Sequence, residues 1–192
     1  MRFALVVVAS LVSHCAALAG DHPYAGLWSE AGADDLKGNP ELSGPQGCYN
    51  RFTEQFPDGR FRYYLVDHAK WLGERKVEYL LAQEGQCTMN VDGRGEKCVG
   101  HVMGEKQSEW FIAYQDAASD EVRATYYENV FFFEKRFGGE PIIRNKCPFD
   151  MPAIKHYISG KTIADCATRC RAFGRSESEE FKGMLKELGV TK

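Results

Sequence analysis

The chain has 192 residues, with 24 Lys and Arg against 27 Asp and Glu, a formal charge of −3. Charges of both signs are interspersed, and no basic stripe is present to displace counterions from a phosphate backbone; nucleic acid is excluded as a partner. The length suits one domain with a sizeable core.

Residues 1–19 carry the three parts of a secretory signal in order. Arg2 supplies the positive start. Phe3–Val12 is an apolar run of ten residues, whereas spanning a bilayer takes about 20. Ala17-Leu18-Ala19 then offers a small-x-small cleavage site, and bulky His14 before Cys15 argues against a lipid anchor. Removing these 19 residues from 192 leaves 173, read as a single disulfide-bonded domain over 20–192. Losing Arg2 takes the charge to −4, from 23 Lys and Arg against 27 Asp and Glu. The expected location is secreted or periplasmic, with no transmembrane segment.

Tyr24–Glu30 is a short apolar patch, and 31–47 reads as a polar loop rich in Gly and Pro. Phe56-Pro-Asp-Gly-Arg60 is a turn: Pro presets φ, Asp caps, and Gly supplies a positive φ. Phe61, Tyr63 and Leu65 then alternate with Arg60, Arg62 and Tyr64, the period of a strand with one buried face. Further strand-like runs lie at 76–83 (Val77, Tyr79 and Leu81 on one face), 86–91, 96–103, 107–115, 121–127 and 130–137. Short strands separated by short polar turns predict a mainly β fold. An antiparallel meander of this length closes into a barrel to remove its edges.

Segment 138–160 reads as irregular. Thr162 and Asp165 fit the opening of a helix that Gly174 closes. Ser176-x-x-Glu179 opens a second helix, whose Phe181, Met184, Leu185 and Leu188 form one apolar stripe for docking on the sheet.

Seven cysteines less Cys15 leave six, the even count of a disulfide framework. A two-residue hairpin at Asp92-Gly93 pairs residues whose numbers sum to 185, as those of Cys87 and Cys98 do. They are expected to bond across the hairpin, from the wider, hydrogen-bonded kind of pair. Cys166 and Cys170 fall four apart on the first predicted helix. Their Cβ atoms would stand about 5–6 Å apart, against about 3.8 Å for a disulfide. Each is therefore expected to bond outward, to Cys48 or Cys147. A metal site there would need further ligands, and no Cys-x-x-Cys or His-rich tract supplies them.

No Gly-x-Ser-x-Gly elbow, His-Glu-x-x-His helix or dinucleotide fingerprint occurs. Gly160-Lys-Thr162 resembles the end of a phosphate loop, but Lys155 stands where the leading Gly belongs. Asp67 and His68, neighbours on a strand, would point to opposite faces. No catalytic residue, metal ligand or cofactor is assigned. The aromatic residues are more informative. Phe61, Tyr63, Tyr79, Trp110, Tyr114 and Tyr126 place large rings on strand faces that should point inward, to fill a core or line a pocket. Tyr hydroxyls and an inward Arg among such rings would favour a pocket.

Gly26-x-Trp28 near the mature start, the Phe56-Pro-Asp-Gly-Arg-Phe61 hairpin, the meander and a final helix ending in Lys186-Glu-Leu-Gly189 together resemble the lipocalin-like, or calycin, exported β-barrels. The resemblance spans 24–137 and 176–190. It implies that Trp28 plugs one end of the barrel with Arg136 packed over it. It also implies carriage of a small apolar or aromatic molecule, or in some relatives protease inhibition through the rim. Three readings follow, in order: a non-enzymatic binding protein for a small, partly apolar ligand; a protein-binding or inhibitory module acting through loops; an enzyme of unassigned reaction. An open interior would favour the first and a filled one the second.

Overall fold

The structure is a computed structural model and describes residues 22–31, 42, 44–102, 107–114, 121–128, 141–159 and 163–191. Its strands are β1 (Gly26–Ala31), β2 (Arg51–Gln55), β3 (Arg60–Val66), β4 (Tyr79–Met89), β5 (Gly95–Val102), β6 (Gln107–Tyr114), β7 (Glu121–Glu128) and β8 (Pro141–Lys146). The helices are α1 (His68–Glu74), α2 (Met151–Ile154), α3 (Ile163–Arg169) and α4 (Ser178–Glu187). None of them is long and apolar enough to cross a membrane. The expected signal segment and the strand-like run at 130–137 lie outside the described residues.

Each strand pairs antiparallel with the next in sequence, so the fold is a mainly β meander, strongly curled. β1 is shared between the two ends of the sheet: Gly26–Trp28 pair with β2 and Trp28–Ala31 with β8. Trp28 alone is paired on both sides. The ends of the sheet thus meet obliquely, and the wall is not closed along its full height.

The runs at 76–83 and 86–91 are one long strand, β4, with an irregularity that decides where its side chains go. Tyr63 pairs with Gln83 but Tyr64 with Leu81, so Ala82 is an extra residue. A bulge of one residue exchanges the two faces of a strand beyond it. Cys87 therefore shares the inner face with Phe61 and Trp28, and so do Leu80 and Ala82 with Leu65 at the other end. Tyr79 is turned outward. There it packs with Phe52, Tyr64 and Val66 against Trp71, Phe173 and the α4 stripe of Phe181, Met184 and Leu185. The expected docking of that helix is what the sheet's outer face is buried under.

Four expectations are corrected. Segment 138–160 is not all irregular, because Pro141–Lys146 forms β8; its Pro occupies the first strand position, where a missing N–H is tolerated. Residues 68–74 form α1, too short a stretch to display a helical period. Asp67 is its N-cap, accepting from the Lys70 N–H at 3.0 Å, and Arg75 ends it in the left-handed region at φ 54°. The helix expected to run to Gly174 stops at Arg169. The last correction is covalent.

Cys87 and Cys98 are bonded as expected, with Cα atoms 4.0 Å apart. The loop, however, has four residues: Asn90 N–H donates to Gly95 O at 2.7 Å, so 90 and 95 form the last hydrogen-bonded pair. Counting back, Cys87 and Cys98 occupy a non-hydrogen-bonded pair, the closer kind. The other four cysteines do not link α3 to the body. Cys48 bonds Cys147, and Cys166 bonds Cys170. The argument against an i,i+4 bond assumed a continuous helix. Cys170 instead lies one residue past the end of α3, in a bridge to Asp67, with its Cα 4.7 Å from that of Cys166.

Leu185 is fully buried. Leu185→Ala is expected to cost about 2–5 kcal/mol in denaturant unfolding; a loss below about 0.5 kcal/mol would show that face to be exposed.

Candidate functional site

The inner face is aromatic, yet at one end it holds a group of buried charges. Alternation along β5 puts Glu96 on the same side as Cys98, and alternation along β6 does so for Ile112 and Tyr114. β8 contributes Arg144, which pairs in register with Glu30 of β1. Before β1 the chain makes a tight turn, with Ala25 N–H donating to His22 O at 2.9 Å, and drops His22 and Tyr24 onto the same group.

Glu96 is wholly buried, and Arg144 nearly so. His22 Nε2 lies 2.7 Å from Glu96 Oε2, while His22 Nδ1 accepts from the Tyr24 N–H at 3.3 Å. Together these contacts fix the imidazole tautomer, Nε2–H donating to the carboxylate. The Tyr114 hydroxyl donates to Glu96 Oε1 and accepts from Arg144 at 2.7 Å. Arg144 also stands 3.6 Å from Glu96 and 3.5 Å from Glu30. Tyr24 lies against Tyr114, ring centroids 4.3 Å apart, and its carbonyl receives the Trp28 indole N–H at 2.8 Å.

Burial by itself would raise the Glu96 carboxyl. The bonds from His22 and Tyr114 and the charge of Arg144 outweigh it and hold the group below its ordinary 4.5. Tyr114 moves the other way, driven upward mainly by burial, so its hydroxyl remains a donor. The result is an ionised carboxylate and a guanidinium kept among rings. A buried pair of this kind adds little net stability over apolar residues of equal volume.

Of the residues expected to line a pocket, Phe61 and Tyr114 face inward in this cluster, with Trp110 packed against it. Trp110 meets Phe61 edge-on at 5.4 Å. Beneath both rings Gly85 pairs with Gly100. A Cβ on Gly85 would come 2.2 Å from Val99 O and 2.8 Å from the Phe61 ring, and one on Gly100 2.6 Å from Glu84 O and 3.1 Å from Trp110, so neighbouring backbone and rings together leave room only for glycine. Tyr63 shares the inner face but belongs to the neighbouring Leu65–Leu80 group. Tyr63 and Trp110 are partly buried, unlike Phe61 and Tyr114. Tyr126 pairs in register with Ile112. Tyr79 is not part of the lining: the bulge turns it outward, where its hydroxyl donates to Tyr49 O at 2.6 Å. Trp28 is buried, packed in the same inner cluster. Arg136 lies outside the described residues, and the guanidinium found among these rings is that of Arg144.

Glu96 carboxyl oxygen and the sulfurs of Cys87 and Cys98 lie within 4.8 Å of one another. Because the sulfurs are bonded together, the group offers no thiolate to a metal. A second polar group lies on the outer side. Asp67 and His68 do not meet as a dyad: Asp67 caps α1, and His68 Nε2 sits 3.0 Å from Glu177. Arg171, the Gly174 N–H and His68 bring the Glu177 carboxyl down to about 2. Nearby, a groove of about 360 Å³ is lined by Lys70, Lys76, Val77, His156, Tyr157 and Leu188, among others.

His22, Glu96 and Arg144 were not singled out in the sequence. Glu96 was within reach, two residues before Cys98 on a hairpin already placed. Arg144 was hidden with its unrecognised strand, and nothing local distinguishes His22. No family model, curated protein or solved structure matches the chain.

Glu96→Ala would remove the acceptor shared by His22 and Tyr114 and one carboxylate from beside Arg144, and is expected to cost about 3–5 kcal/mol. Because the carboxyl titrates lower folded than unfolded, its stabilisation is complete above about pH 4.5 and is lost as the pH falls through the folded value. Acid unfolding curves should therefore be shallower in the variant than in the wild type. Parallel curves would show that Glu96 is not held ionised.

Proposed function

We propose that the mature domain is an exported, non-enzymatic binding protein that holds a small, partly apolar ligand inside the curled sheet, the sheet serving as a barrel. One observation carries this reading: an inner face of aromatic rings surrounds a buried, ionised Glu96, an inward Arg144 and the Tyr114 hydroxyl. Rings supply apolar contact, and a few fixed polar atoms supply orientation, the usual make-up of a small-molecule site. Tyr63 and Trp110, which keep part of their surface uncovered, offer the apolar contact. The set contains no nucleophile activated by a base, and His22 spends both ring nitrogens on fixed partners. Both points favour binding over turnover.

The runner-up is a protein-binding module acting from the outer surface. Close packing of Tyr24, Trp28, Phe61 and Tyr114 at one inner end favours it, as does the groove beside Lys70 and Tyr157.

Native mass spectrometry of the protein purified from its own source separates the two. The expected result is a non-covalent small-molecule adduct on a chain that begins at Gly20. A mass equal to the bare polypeptide, with a protein partner co-purifying, would replace the first reading by the second. A retained Met1 would refute export.

A further inference from the structure

The curled sheet has two unlike ends. At one, the Phe56–Gly59 and Asn90–Gly95 turns meet the His22–Ala25 segment, whose His22 N–H donates to Pro57 O at 2.8 Å. Buried Tyr24 and Trp28 seal that end. At the other end, where β3 runs into α1 and α1 into β4, lies α3. Its Cys166 is fully buried against Leu65, Leu80 and Ala82. These residues belong to the inner face of the sheet, so α3 covers the interior from above instead of bracing the wall from outside.

We propose that α3 is a hinged cover over this end of the interior, latched by Arg169 to Asp67, and that ligand passes when the latch opens. The passage of ligand rests on the interior-binding reading above; the cover itself does not. Three observations support it. Cys166 and Cys170 are bonded to each other and not to the sheet, so no covalent link must break for α3 to move. Cys166 is its one buried residue, whereas α4 buries Phe181, Met184 and Leu185. Two further attachments meet at a single residue: Arg169 pairs with the Asp67 carboxylate, and Cys170 forms a bridge to the Asp67 backbone. Asp67 is itself fully buried and engaged as the cap of α1. A helix of two turns that buries one side chain belongs to the low-stability end of a fold, the part that opens first. The local Cys166–Cys170 bond then lets it move as a preformed unit.

Hydrogen exchange on the full mature protein tests the cover, and stopped-flow uptake of 8-anilinonaphthalene-1-sulfonate tests passage. Arg169→Ala removes the latch without touching the α1 cap. Exchange over 163–170 is expected to rise about tenfold while β4 stays unchanged, with Arg169→Lys restoring much of the protection. Probe uptake and release should both accelerate by a similar factor, leaving the affinity nearly constant. Unchanged exchange over 163–170, or a rise shared equally by β4, overturns the cover. Faster exchange with unaltered probe kinetics overturns its role in passage. A probe that fails to bind, or whose binding survives Tyr63→Ala, refutes the interior-binding reading, and the exchange data still decide whether α3 opens.

Discussion

The bulge at Ala82 is the constraint on which both cores depend. β4 is the strand that must serve two masters, supplying Cys87 to the interior at one end and Tyr79 to the helix-covered outer face at the other. With strict alternation, residues 79 and 87 would share a face, and one of these two cores would lose its member. A single extra residue resolves the conflict by changing the phase midway. It also turns Leu80 and Ala82 inward, giving α3 an apolar seat.

The charged group at the sealed end is stable because each member is committed to another. Removing Glu96 would leave His22 and Tyr114 without their shared acceptor, and removing Arg144 would leave Glu30 and Glu96 without the guanidinium that both approach. Burial raises the cost of every unmatched charge, so the network is close to all-or-none. The Cys87–Cys98 bond helps by fixing the strand on which Glu96 sits, two residues from Cys98. Its contribution is positional as much as energetic, since it closes a short loop.

Much of the wall is legible from period-2 patterning: β3, β5, β6 and β7 fall where alternating residues and polar turns place them, and the α4 stripe is read residue for residue. Tyr79 shows where such reading stops. Its face is set by a bulge, and a bulge leaves no mark in a pattern that is apolar on both sides, as Tyr79-Leu-Leu-Ala82 is. The cysteines illustrate a second limit. Spacing finds the Cys87–Cys98 pair because a hairpin converts sequence separation into distance. It misjudges Cys166 and Cys170 because the outcome turns on whether the helix runs one residue further. The site was only partly visible: its rings follow from strand pattern, whereas its charges come from a segment before the first strand, a hairpin strand read for its cysteine, and a strand that begins with proline.

The Cys48–Cys147 bond joins the chain just before β2 to the chain just after β8, across 99 residues. Seven strands lie inside this covalent loop, and β1 and α4 lie outside it. A pull on the two termini would be carried through the sulfur bridge and leave β2–β8 unextended. About 330 Å of contour length would stay hidden from that force, and only the outer segments could be drawn out. Mechanically β2–β8 form a closed ring, and tension applied at the N-terminal end reaches the interior through β1, which carries Trp28.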